Sequence, residues 1–165
     1  TTRSLAGSGE YCQRISLHKR ILVGEFKNHK GYEEVRFNSL GIEVLSGVNG
    51  ITVFSDKNDK LGHDYLLKGK VLKSWVETDD NRRLKKHNRD KADDLDDVST
   101  WLNIVYVVEM YSPQNHLLDS ATGSAFERTN RVGLVEDIYY LTTERAVRSA
   151  LKQLKGNILS KRSIR

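Results

Sequence analysis

The stretch WLNIVYVVEMYSPQNHLLDSATGSAFERT, Trp101 to Thr129, decides the fold. Leu102, Ile104, Tyr106, Val108 and Met110 recur at every second position, the period that puts side chains on one face of an extended strand. Ser112-Pro113-Gln114-Asn115 then supplies turn chemistry, with Pro113 fixing φ and Asn115 tolerant of a left-handed backbone. A second alternating run follows, with Leu118, Ser120, Thr122, Ser124 and Phe126 on one face. Two long strands joined by such a turn make an antiparallel hairpin.

Outward toward the C terminus, Ile138, Leu141, Ala146, Val147, Ala150, Leu151, Leu154 and Ile158 give a wide stripe at helical spacing between Val132 and Leu159. Val147, Ala150, Leu151 and Leu154 are expected to lie on the sheet. Glu144 and Arg148, four apart, pair on the exposed side for a few tenths of a kcal/mol. Residues 160–165 read as a flexible polar tail.

Toward the N terminus, Asp64 to Val76 is a long half-buried strand. Strict alternation puts Tyr65, Leu67, Val71 and Trp75 on one face and Lys68, Lys70 and Ser74 on the other, with Gly69 marking a bulge or a close approach. Ile51 to Phe54 is a short buried strand, entered through Gly47 and Asn49-Gly50. From Gly31 to Val48, Phe37, Leu40, Val44, Leu45 and Val48 recur at three and four, a helix with Gly41 midway and Glu33 and Glu34 in its first turn. Ile15, Leu17, Ile21 and Val23 mark a first strand ending near Phe26, which is expected to pack under that helix.

Glu77 to Asp97 has no apolar stripe and reads as a charged, solvated loop. Arg82, Arg83, Lys85 and Lys86 lead it, and Asp93, Asp94, Asp96 and Asp97 close it. The acidic end lacks the glycine and closing glutamate of a calcium loop. The element order points to an α+β fold, a two-layer sandwich of a mostly antiparallel sheet with helices packed on one face. One domain is expected over residues 15–159, after a flexible segment, 1–14.

The 165 residues suffice for one core without staples, and the single cysteine, Cys12, forms no internal disulfide. A net charge of +5, from 27 basic and 22 acidic residues, is too small to establish a nucleic-acid partner. No apolar run reaches the roughly 18 residues of a bilayer span.

Catalytic patterns are absent. There is no Gly-x-Ser-x-Gly elbow, and Gly123-Ser124 reads as close packing instead. His18, His29, His63, His87 and His116 form no metal-binding pair, and His63-Asp64, which offers half of an acid-base pair, is a commonplace neighbouring of one histidine and one carboxylate at a strand start. Gly47-Val48-Asn49-Gly50 carries no lysine and opens no helix, so no phosphate loop exists. No enzyme activity, metal, cofactor or small-molecule substrate is therefore expected. Basic residues do cluster at Arg14, Lys19 and Arg20 and at Lys152, Lys155, Lys161, Arg162 and Arg165. Trp75, Trp101 and Tyr106 would either stack bases on an open sheet or fill a core, and core filling is the commoner fate.

The words Ile21-Leu22-Val23-Gly24-Glu25-Phe26-Lys27-Asn28 and Asp64-Tyr65-Leu66-Leu67-Lys68-Gly69-Lys70-Val71, followed by the long hairpin and last helix, resemble periplasmic domains of Gram-negative envelope lipoproteins. That group includes the penicillin-binding-protein activators and the curli-secretion, flagellar outer-membrane-ring and lipopolysaccharide-assembly lipoproteins. The resemblance implies a non-enzymatic accessory protein of the periplasm, anchored through residues outside this chain. It also implies other envelope proteins as partners and a homo-oligomeric ring. Arg82, Arg83, Lys85, Lys86, Asp93, Asp94, Lys161 and Arg162 are the interaction candidates. The alternative is a cytosolic RNA-binding module using the basic termini; nucleic acid is not the expected partner.

Overall fold

A β-α-β unit and an antiparallel meander share one sheet in the computed structural model, which describes residues 18–28, 34–80, 98–129 and 135–163. The elements are β1 (Lys19–Phe26), α1 (Glu34–Leu45), β2 (Ile51–Phe54), β3 (Tyr65–Asp80), β4 (Val98–Tyr111), β5 (Leu117–Thr129) and α2 (Val135–Ser163). The sheet order is β2-β1-β3-β4-β5. β1 runs parallel to β2 and to β3, because α1 is the crossover that parallel neighbours require. β3, β4 and β5 pair antiparallel over most of their length, from Leu66 opposite Tyr111 to Asp80 opposite Val98 and from Tyr111 opposite Leu117 to Thr100 opposite Thr129. The fold is thus an α+β sandwich of two layers, mostly antiparallel by paired length.

Both helices sit on the same face and on each other, with Phe37 of α1 stacked on Tyr140 of α2 at 5.3 Å between ring centroids. Beneath them lie Ile21, Val23 and Phe26 of β1, Leu67 of β3 and Leu102, Ile104, Tyr106 and Val108 of β4. The four α2 residues expected on the sheet, Val147, Ala150, Leu151 and Leu154, are all fully buried. Phe26 is buried too and stacks on Tyr106. α2 continues to Ser163, so the first residues of the segment read as a tail extend the helix, where Lys161 pairs with Asp119 of β5 at 3.1 Å.

Two glycines fix how near the layers come. A Cβ on Gly123 would lie 2.2 Å from the Ala150 backbone nitrogen and 2.4 Å from the Ala146 carbonyl oxygen, so α2 rests directly on β5. A Cβ on Gly69 would stand 2.6 Å from Tyr106 Cε1, so the tyrosine ring lies over that glycine. Gly69 thus provides close packing, and it also faces Phe26 across a register irregularity in β1 that begins after Val23, opposite Leu67. From there the Tyr106 hydroxyl donates to the Lys27 carbonyl at 3.0 Å, tying β4 to the end of β1. Removing the hydroxyl leaves that carbonyl without this donor. Tyr106→Phe is expected to cost about 1 kcal/mol, read as a lower urea midpoint at unchanged slope.

A bulge in β3 itself lies three residues further on. Val71 faces Tyr106 and Lys73 faces Val105, which leaves Leu72 as an extra residue in β3. An inserted residue shifts every later side chain to the opposite face. Trp75 therefore does not share a face with Leu67 and Val71, as alternation predicts; it joins Lys68 and Lys70, and Ser74 takes its place opposite Ile104. Glu77 to Asp80, expected in the loop, are also strand.

Candidate interaction surface

Among the described residues no helix covers the second face of the sheet. Side chains of β3, β4 and β5 form a grid there, set by three successive rows of pairing. Lys73, Val105 and Ser124 make the first row, Trp75, Asn103 and Phe126 the second, and Glu77, Trp101 and Arg128 the third. Leu72 delivers Trp75 to this grid. Trp75, Trp101 and Val105 are half-buried here, and Phe126 is 62% exposed.

The polar groups of the grid are arranged around its rings. Phe126 and Trp101 meet at 5.6 Å between centroids. The Lys73 ammonium stands 4.7 Å from the Trp75 ring centre and the Arg128 guanidinium 5.7 Å from that of Trp101, each held by the ring quadrupole. The Trp75 indole donates to Glu77 at 2.9 Å. At the centre, Asn103 Nδ2 is buried without a hydrogen-bond partner, a donor that costs free energy until something accepts from it.

The other half of the open face is quieter. Glu25, Lys27, Lys68, Gly69, Lys70, Glu109 and Tyr111 line a shallow hollow of about 190 Å³ where β1 ends. Lys70 pairs there with Glu109 at 3.6 Å, and Lys68 lies over the Tyr111 ring. The Tyr111 phenol is raised above its ordinary value, first by desolvation and then by the hydrogen bond and charge of Glu109. It stays protonated at neutral pH. A groove of about 480 Å³ runs along the outer side of α2 between Arg145, Arg148, Ser149, Lys152 and Gln153. Arg145 there is paired with Glu127, and Arg148 with Glu43 at 3.1 Å and Glu144 at 4.0 Å.

The sequence-derived candidates fare unevenly. Arg82, Arg83, Lys85, Lys86, Asp93 and Asp94 lie outside the described residues, as do Cys12, His29 and the segment 1–14, and the side chain of Arg162 is not described. Lys161 is bound to Asp119. Arg20 is engaged as well: its guanidinium binds Asp59 at 2.7 Å and Gly62 at 3.0 Å, while its backbone nitrogen donates to Asp64. Asp64 thus closes the β2–β3 loop onto β1, a structural task and not half of an acid-base pair. Of the aromatic trio, Tyr106 fills the core, whereas Trp75 and Trp101 stand on the open face. Phe126, Lys73 and Arg128 escaped sequence reasoning. The alternation of β5 put Phe126 on a face with Ser120, Thr122 and Ser124, and that polar company was the available signal.

Among the described residues, no cluster of three or more histidine, cysteine or carboxylate side chains is placed to hold a metal ion, and no helix is long and apolar enough to cross a membrane. No protein-family profile matches the chain, and no curated protein matches its sequence. Solved structures do resemble it. A PelC variant from Paraburkholderia phytofirmans, a dodecamer, is 15% identical, with 84% of this chain and 88% of that one covered and a TM-score of 0.47. A minor lipoprotein of Acinetobacter baumannii is 10% identical over 88% of this chain and 96% of that one, with a TM-score of 0.47. A lipoprotein of Neisseria meningitidis is 13% identical over 76% and 95%, with a TM-score of 0.37.

Proposed function

We propose that the chain is a non-enzymatic accessory module of the cell envelope that docks partner proteins through the uncovered sheet face. One observation carries the docking part: a sheet whose helices occupy one side presents Trp75, Trp101 and Phe126 side by side on the other. Aromatic residues flanked by arginine are what dense, desolvated protein contacts are built from. The compartment, and the further reading that copies assemble into a ring, rest on the resemblance of the Ile21–Asn28 and Asp64–Val71 words to envelope lipoproteins.

A photo-crosslinking residue at Ser124, exposed within the grid, tests the proposal against the same residue at Gln153 on the outer side of α2. In cells producing the full-length protein with its native leader, position 124 is expected to give a discrete adduct with another protein of the envelope fraction, and position 153 none. Equal labelling from both positions, or recovery of the protein in the cytosol, would remove it.

A further inference from the structure

We propose that the open face is self-complementary and that two copies pair through it, about a two-fold axis lying in the interface along the Trp75-Asn103-Phe126 row. The inference rests on the reading of this face as a docking surface and adds one occupant, a second copy of the chain. Such an axis crosses the strands, so each strand runs antiparallel to its own counterpart, within the aligned way that sheets stack. It also exchanges the rows on either side of it. Lys73, Val105 and Ser124 of one copy then face Glu77, Trp101 and Arg128 of the other, and symmetry repeats the same contacts once more.

Charge agrees with that exchange. Lys73 and Glu77 are exposed and stand on either side of Trp75, and neither has an ion-pair partner among the described residues. Across the axis they meet, once in each direction. Lys73 does not leave its ring for this: contact with Trp75 at 4.7 Å engages one side of an ammonium that carries three donors. Glu77 likewise keeps the Trp75 indole on Oε1 and offers Oε2. Arg128 supplies no charge to the pairing and stays over Trp101 at the sheet edge. Shape agrees as well. The row holding Val105 and Ser124 is low, whereas Trp101, with Phe126 against it at 5.6 Å, stands high, and the two-fold sets high against low. On the axis Asn103 meets its own counterpart. Packed sheets stand about 10 Å apart, a gap that two short amides meeting tip to tip span. Each Nδ2, buried without an acceptor in its own copy, turns about the soft χ2 of asparagine to the other copy's Oδ1. Single-stranded nucleic acid suits the face less well, because bases stacking on Trp75 and Trp101 would displace the cations that lie over those rings.

A charge exchange in the full chain tests the pairing. Lys73→Glu sets a carboxylate against Glu77 of the other copy, and Glu77→Lys sets an ammonium against its Lys73. Sedimentation of the unaltered chain is expected to show concentration-dependent dimers, which the like charges of either variant weaken by about tenfold or more. An equimolar mixture of the two variants is expected to regain the lost affinity, since a mixed pair has opposite charges at both contacts. A role confined to one copy cannot produce that rescue. Both positions are exposed, and circular dichroism of each variant verifies the fold. A chain that is monomeric at all concentrations, dimers that both variants retain, or a mixture no tighter than its components overturns the inference. So does oligothymidylate that quenches Trp75 and Trp101, the only tryptophans, at concentrations where the copies do not pair. A Ser124 adduct with a different envelope protein would survive each of those results, which keeps the two readings separable.

Discussion

Gly123→Ala is expected to destabilise the protein by about 3 kcal/mol or more, the upper range of overpacking, and to lower the melting temperature by roughly 6–12 °C. Its Cβ would enter the space of the Ala150 nitrogen and the Ala146 carbonyl, both backbone atoms of a helix that is itself buried through Ala146, Val147, Ala150 and Leu151. A flexible side chain can swing away from a new methyl. A helix backbone cannot, so α2 must lift off the sheet over several turns and loosen its contacts with β4 and β5. Gly156→Ala, in the same helix, is the control. Nothing lies within 4 Å of a Cβ there, so only helix propensity acts and a gain of about 0.5–1 kcal/mol is expected. Opposite signs of the two substitutions in urea melts establish the contact; similar signs would refute it.

The second large effect belongs to Phe37→Ala, at about 3–5 kcal/mol. Phe37 is fully buried at the centre of the seam between the helices, and its ring stacks on Tyr140. Truncation removes the apolar area, leaves a void beneath α1 and deletes a ring pair worth about 0.5–1.5 kcal/mol beyond area alone. Refilling the void by moving α1 inward is blocked. Gly41 already brings that helix so near β1 that a Cβ would stand 3.2 Å from Val23 Cγ1. Against a total stability of about 5–15 kcal/mol, the loss is expected to bring the urea midpoint down by about a fifth or more, at unchanged slope. A midpoint within a few per cent of the parent would show that the helices do not lean on each other.

Most of this architecture was legible because burial writes itself into sequence with a period. The stripe of α2, the alternation of β4 and the small residues of β5 each reported the surface they cover, and the corresponding elements lie within a few residues of the expected bounds. Two features did not report themselves. The parallel placement of β1 beside both β2 and β3 is a choice of neighbours, and Ile21 and Val23 look the same whichever strand they bond. The Leu72 bulge is a matter of register: a leucine that is exposed in the fold reads in isolation as one more strand residue, and missing it sends Trp75 to the wrong side. The candidate site inherited that error. Its cations were equally hidden, since Lys73 and Arg128 come together with the rings only through pairings across three strands.

The seat of α2 on Gly123 also limits how the sheet can grow. β5 is an edge, long and without proline or lysine, and such an edge ordinarily invites a neighbour to extend the ladder. An antiparallel second β5 that keeps both helices on one face would stand about 4.8 Å away, yet two packed helices need about 8–10 Å between their axes. Seated over the edge strand, the helix thus acts as a cornice against that pairing, by backbone volume where other proteins use charge.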